Sequence, residues 1–249
     1  MDKKDIRRKP EWLKKKISHI REIAGLKKQL RRAGLHTVCE SASCPNLSEC
    51  FAQLTATFMI LGDVCTRDCK FCNIKKGVPA TNPDFSAELD KIEKLVNDLN
   101  YKFVTITSVT RDDIEDYGLS YFIEITNRLK KTGVKVEVLI PDLNGNAKLL
   151  DWLMEAQPAV INHNIEMAER LYSEIRPQSN FNNTLKILKT AALKKAEFFV
   201  KTGFMVGLGE TAGEIKELIN IISDAGIDIL TIGQYLQPSK KHYPVQRYV

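Results

Sequence analysis

Cys65-Thr66-Arg67-Asp68-Cys69-Lys70-Phe71-Cys72 is the stretch on which the reading of the chain turns. Its three thiols stand at C-x3-C-x2-C spacing, with an aromatic residue before the last. Thiolates so spaced can hold three corners of a [4Fe-4S] cube, and since four cysteines hold most such clusters, the missing fourth leaves one iron open. An open iron suits S-adenosylmethionine (SAM), whose amino and carboxylate groups chelate it so that one electron cleaves the sulfonium and releases a 5′-deoxyadenosyl radical. The competing reading is zinc. Structural zinc is closed by four ligands, and no convincing fourth Cys or His stands beside these three.

Upstream lies a second group, Cys39-Glu40-Ser41-Ala42-Ser43-Cys44-Pro45-Asn46-Leu47-Ser48-Glu49-Cys50, at C-x4-C-x5-C spacing. It lacks the C-x2-C knuckle usual for zinc and suits a second iron–sulfur cluster. All six cysteines fall between Cys39 and Cys72. That is not the scatter of a disulfide framework, so they read as ligands in a reducing compartment. The start of the chain has no apolar leader core and no later stretch reaches membrane-spanning length, so a cytoplasmic protein without a membrane partner is expected. The formal net charge is +6, but Met1 to His36 holds thirteen Lys or Arg against four Asp or Glu. The basic character therefore belongs to the amino-terminal arm, which reads either as a solvated helix face or as a dock for nucleic acid, anionic lipid or an acidic protein. Trp12 is the arm's one aromatic up to His36, which argues against nucleic acid.

A helix is expected from about Glu11, with Trp12, Leu13, Ile17, Ile20, Ile23 and Leu26 forming an apolar stripe. Past the cysteines, strand-like and helix-like stretches alternate, the pattern of an α/β fold with parallel strands. Strands are expected at 57–61, 103–108, 134–140, 159–162, 198–206 and 229–234. Helices are expected at 88–99, 121–131, 149–156, 185–195 and 212–225, the last capped by Thr211 with Glu214. The fold expectation is a six-stranded partial (βα)6 barrel, residues 51–249, behind an extension, residues 1–50, that carries the basic helix and the second cluster. Ligands of parallel βα folds bind at the carboxyl ends of the strands. Polar residues there include Thr107, Ser108, Arg111, Asp112, Asp142, Asn162, His163, Asn164 and Glu166, then Gly207, Gly209 and Glu210, and last Gln234 and Gln237. Alternation along residues 134–140 puts Val134, Val136, Val138 and Ile140 on one face and points Glu137 into the barrel. Its carboxylate needs a partner there, either a ligand such as a ribose or an internal lysine such as Lys201. His163 reads as a site residue or a hydrogen-bonded structural one, and Gly207-Leu208-Gly209-Glu210 as a ligand cradle or a tight turn.

Both cysteine groups, together with Ala56-Thr57-Phe58-Met59-Ile60-Leu61-Gly62, Ile106-Thr107-Ser108-Val109, Arg111-Asp112-Asp113, Asn162-His163-Asn164, Met205 to Thr211 and Gly233 to Ser239, make the chain resemble the lipoyl synthases of the radical SAM superfamily. The likeness runs from about His36 to Val249. It implies that Cys65, Cys69 and Cys72 hold the SAM-binding [4Fe-4S] cluster, with Phe71 beside the adenine; Ser108, Glu137 and Asn162, from their strand positions, are further candidate SAM contacts. It implies that Cys39, Cys44 and Cys50 hold an auxiliary [4Fe-4S] cluster that supplies sulfur. The implied substrate is an octanoyl group in amide linkage to a lysine of a carrier protein, an acidic lipoyl domain or the H protein of glycine cleavage. Two sulfurs enter it, at C6 and C8, and the electron donor is of the flavodoxin or ferredoxin kind. The resemblance departs at the end of the chain. The family continues past Arg247-Tyr248-Val249 to an Arg-Ser-Ser-Tyr motif whose serine ligates the auxiliary cluster, and that motif is absent here. Two alternatives follow: a short form that cleaves SAM without completing sulfur insertion, or another radical SAM sulfur-inserting enzyme.

Overall fold

The computed structural model describes residues 8–14, 20–41, 57–80, 84–195 and 197–249. Its centre is a seven-stranded sheet of order β1-β2-β5-β6-β7-β8-β9, with β1 at His36–Thr37, β2 at Thr57–Ile60, β5 at Phe103–Ser108, β6 at Lys135–Leu139, β7 at Val160–Asn162, β8 at Phe199–Val206 and β9 at Ile229–Gln234. From β2 to β9 every neighbouring pair is parallel. The six expected strands are these six. The seventh, β1, pairs antiparallel with β2 at one edge, and a two-stranded pair, β3 at Val64–Cys65 with β4 at Lys75–Lys76, flanks the first cysteine motif. Runs of two residues carry no alternation signal, so neither feature is readable in the sequence.

The registers sort the two faces of the sheet. Glu137 pairs with Thr105 and Val160, and Asn162 with Leu139 and Lys201, so Thr105, Glu137, Val160, Asn162 and Lys201 share one face. The opposite face carries Val104, Ile106, Val136, Val138, Ile161 and Val200, all essentially inaccessible. Against these pack helices Ser86–Asp98, Leu119–Lys131, Ala147–Glu155, Phe181–Lys194 and Ala212–Asp224. Each buries a stripe at helical spacing, for example Leu89, Ile92, Leu95 and Val96, or Phe122, Ile125 and Leu129. Burying side chains of this size at roughly 1.5–3 kcal/mol each makes this the main source of stability.

Several helices begin earlier than their apolar spacing indicates, because side-chain caps set the start. Asn146 accepts from the Lys148 amide, and Asn180 from that of Asn183. The capping box of Thr211 and Glu214 forms as expected. The amino-terminal helix differs from expectation. Glu11–Leu13 is a single 3-10 turn, Trp12 is 64% exposed, and the regular helix is Ile20–Ala33, running through Gly25. Within that helix Leu26 and Leu30 reach the core, while Trp12 does not. Residues 15–19, with Ile17, lie outside the described residues.

Candidate iron–sulfur site

The first cysteine motif leaves β3 and forms a loop at the carboxyl end of the parallel sheet, where two other segments hold its backbone. The Thr66 amide donates to the Thr110 carbonyl beyond β5 at 3.0 Å, the Lys70 amide to the Ile175 carbonyl at 2.9 Å, and the Asp68 amide to Gln178 Oε1 at 2.8 Å. Between Cys65 and Cys69, Arg67 turns inward and uses all five of its N–H donors. Nε and Nη2 fork onto Asp112 at 2.8 and 2.7 Å, Nη1 and Nη2 onto Asp142 at 2.6 and 2.8 Å, and Nη1 also reaches Ser179 Oγ at 3.0 Å. Burial works against its charge, but the hydrogen bonds to Asp112 and Asp142 outweigh that and hold the guanidinium protonated far above its ordinary range. For Asp142 burial likewise opposes ionisation, and the bond from Arg67 overrides it and holds the carboxyl below its usual range. Asp112 and Asp142, expected as ligand-facing strand-end residues, are thus occupied in clamping the cysteine loop to β5 and β6.

Cys65, Cys69 and Cys72 are free and half-buried. Burial pushes the Cys72 thiol up to about 11, and the neighbouring Cys69 and Cys65 add to the shift, so the three sulfurs sit within one another's fields. Among the described residues no three Cys, His, Asp or Glu side chains converge on a single-ion geometry. A cubane takes one thiolate per iron and does not need that convergence. Beside the thiols lie Glu166 and Arg176, which the motif reading did not single out together. Burial raises the Cys69 thiol, Arg176 opposes that and Glu166 reinforces it. Glu166 holds a left-handed φ of 70° and bridges to Phe204 of β8, so its side chain is set by the sheet edge.

On the inner face Glu137 forms the internal pair rather than awaiting a ligand: Lys201 Nζ lies 3.0 and 3.1 Å from its two oxygens. Asn162 Nδ2 donates to Glu137 Oε1 at 2.7 Å, which turns Asn162 Oδ1 away as a buried acceptor with no partner. Ser108 Oγ, at the end of β5, is also buried without one. Phe71 is half-buried against the core. His163 takes its structural role, with Nδ1 donating to the Ile140 carbonyl at 2.8 Å and Nε2 accepting from Thr184 Oγ1 at 3.2 Å. Burial lowers its pKa to about 4. Gly207-Leu208-Gly209-Glu210 is a tight turn, in which the Glu210 carboxylate accepts from the Gly207 and Leu208 amides at 2.7 and 2.9 Å.

Of the second cysteine group, Cys44 and Cys50 lie outside the described residues, and only the backbone of Cys39, in the short helix Val38–Ser41, is described. One contact reaches toward it. Asn73 Nδ2, next to Cys72, donates to the Ser41 carbonyl at 3.1 Å, which brings the two cysteine-bearing segments side by side.

A mostly parallel α/β sheet with a three-cysteine loop at its carboxyl end defines a radical SAM protein, and residues 59–222 match the family model of the radical SAM superfamily. Among solved structures the fold resembles methylornithine synthase (TM-score 0.59, 13% identity, 78% of this chain and 56% of that one) and Streptococcus suis SuiB bound to S-adenosylmethionine (TM-score 0.59, 12% identity, 90% and 55%). The chain thus spans little more than half the length of those proteins. Residues 1–44 match the amino-terminal domain of lipoyl synthase. The chain is 45% identical to a lipoyl synthase of Caldicellulosiruptor saccharolyticus, over 97% of this chain and 85% of that protein, and 46% identical to one of Yersinia pestis, over 100% and 78%. It belongs to the lipoyl synthase family. Among the described residues no helix is long and apolar enough to cross a membrane.

Proposed function

We propose that this protein is a lipoyl synthase, a radical SAM sulfurtransferase that inserts two sulfur atoms, at C6 and C8, into an octanoyl group amide-linked to a lysine of a carrier protein. The observation that carries the reading is the Cys65–Cys72 loop, clamped through Arg67 to the carboxyl ends of β5 and β6, in a chain 45% identical to a lipoyl synthase over nearly its whole length. Cys65, Cys69 and Cys72 hold the SAM-binding [4Fe-4S] cluster. Cys39, Cys44 and Cys50 hold the auxiliary cluster, a reading supported by the Asn73–Ser41 contact between the two segments. When bound, the first cluster and SAM supply one-electron, hydrogen-abstracting chemistry, which an unactivated methylene requires because it has no acidic proton.

The chain's own residues bind and orient. Asn162 Oδ1 and Ser108 Oγ, buried without partners, would offer hydrogen bonds to SAM, Glu137 fixes the flip of Asn162, and Phe71 would pack against the adenine. Lys201 pairs with Glu137, so that carboxylate does not face an uncharged acyl chain alone. The exposed Lys28, Arg31 and Arg32 of helix Ile20–Ala33, with Lys14, Lys15 and Lys16 upstream, form the dock for an acidic lipoyl domain or H protein. The electron donor is an acidic flavodoxin- or ferredoxin-type protein, and the reaction is cytoplasmic.

The test is anaerobic mass spectrometry of the reconstituted protein with SAM, a strong reductant and an octanoyl-lysyl peptide. Lipoyl peptide is the expected product. 5′-Deoxyadenosine without sulfur insertion would limit the activity to the first half of the reaction, and the absence of both would overturn the assignment.

A further inference from the structure

Beyond β9 the chain folds back over the cysteine loop. The Tyr243 amide donates to the Lys70 carbonyl at 2.9 Å, and His242 Nε2 lies 3.1 Å from the Cys72 carbonyl. A carbonyl only accepts, so Nε2 carries the proton of that contact. The other ring nitrogen, Nδ1, lies 2.8 Å from Ser239 Oγ and in the neutral ring must accept from it. The Ser239 oxygen meanwhile accepts from the Lys241 amide at 3.3 Å, which leaves its own proton for the imidazole. The Cys72 carbonyl selects this tautomer, and Ser239 complements it by donating to Nδ1. The segment is braced in turn: Gln237 Nε2 donates to the Ser239 and His242 carbonyls at 2.9 and 3.1 Å, and the Tyr235 hydroxyl to the Tyr243 carbonyl at 2.7 Å.

The other fastenings of the loop act elsewhere. Thr66, Arg67, Asp68 and the Lys70 amide are held by residues 110–112, 142 and 175–179. Past Phe71, the Cys72 amide turns back within the loop to Cys69. The tie on the Cys72 carbonyl comes from 170 residues away along the chain.

We infer that His242 is a positioning residue for the SAM-binding iron–sulfur cluster: its Nε2–H holds the Cys72 carbonyl, and with it the third thiolate, while Ser239 supports the ring by donating to Nδ1. The inference rests on the reading of Cys65, Cys69 and Cys72 as cluster ligands. His242 acts through Cys72, and its effect runs through the direction in which Cys72 presents its sulfur and the cluster its open iron.

The test uses the full, reconstituted chain and reads the change that SAM produces in the electron paramagnetic resonance spectrum of the reduced protein, a signature belonging to the open-iron cluster. SAM is titrated into the parent, His242→Leu, His242→Gln and Ser239→Ala proteins. His242→Leu removes the tie to the Cys72 carbonyl together with the bond from Ser239, and loss of the tie is expected to weaken the apparent SAM affinity about fivefold and to alter the spectrum. His242→Gln, whose amide can donate to the same carbonyl, restores most of both, and Ser239→Ala falls between. Loss of these bonds at a half-buried position is expected to lower the melting temperature of the cluster-free protein by only about 2–4 °C. A parental titration and spectrum in His242→Leu would overturn the inference, as would equal loss in the Leu and Gln variants. A parent protein that shows no SAM-sensitive signal would instead overturn the reading of the three cysteines.

Discussion

Arg67 illustrates how one side chain converts a flexible ligand loop into part of the scaffold. It is 6% exposed and its partner Asp142 2%, so removing the cation leaves a carboxylate buried and unpaired. Arg67→Gln is expected to destabilise the cluster-free protein by about 3–5 kcal/mol, read by chemical denaturation. Arg67→Lys loses the fork geometry and is expected to recover little of that. His163 produces a separate acid sensitivity. Its ordinary pKa of 6.5 falls to about 4 in the folded chain because burial disfavours the imidazolium. Between those values the unfolded chain binds more protons, so stability is complete above pH 6.5 and declines as pH falls toward 4, by on the order of 3 kcal/mol. His163→Gln, which keeps a donor and an acceptor without titrating, should flatten that slope in denaturation curves at pH 7 and pH 5.

The turn that follows β8 is held by glycines for steric reasons that alternation does not reveal. Gly207 has a φ of +99°, and a Cβ there would lie 2.3 Å from Gln234 Nε2 and 2.5 Å from the Arg247 carbonyl. Gly207→Ala therefore combines a left-handed backbone with a collision against main chain. A loss of about 1–3 kcal/mol is expected, seen as a lower melting temperature, with β8 and its neighbours still formed by circular dichroism. The strands themselves followed their alternation closely, because the outer face of each must be apolar to pack under a helix. The amino-terminal arm did not, since an apolar stripe specifies a surface to be buried and not what will bury it. Trp12 accordingly stands in solvent within a single isolated turn.

Taken whole, the molecule separates its charge from its chemistry. The basic arm precedes the sheet in the sequence, while the inner face pairs Glu137 with Lys201 and keeps Ser108 Oγ and Asn162 Oδ1 buried without partners at strand ends. Replacing Lys14, Lys15, Lys16, Arg31 and Arg32 by Gln should weaken binding of an acidic carrier domain and flatten its salt dependence, measured by titration calorimetry at several ionic strengths. SAM cleavage with a small octanoyl-lysyl peptide should be unchanged. Unaltered carrier binding would remove the arm from recognition. Changing Cys39, Cys44 and Cys50 to Ala should leave 5′-deoxyadenosine production intact and abolish lipoyl product, as followed by mass spectrometry.

The cysteine spacing, the βα alternation and the inward direction of Glu137 were legible in the sequence, because each is a local periodicity or a local ligand pattern that any compact fold must respect. What Glu137 would meet was not, and the tertiary structure decided it by placing Lys201 two strands away. The clamp of Arg67 on Asp112 and Asp142 and the tie from His242 to Cys72 were likewise invisible, since each joins residues 45 to 170 positions apart. Thiols close in sequence announce themselves by spacing. The groups that aim them are brought together only when the sheet orders its strands and the chain beyond β9 returns across the loop.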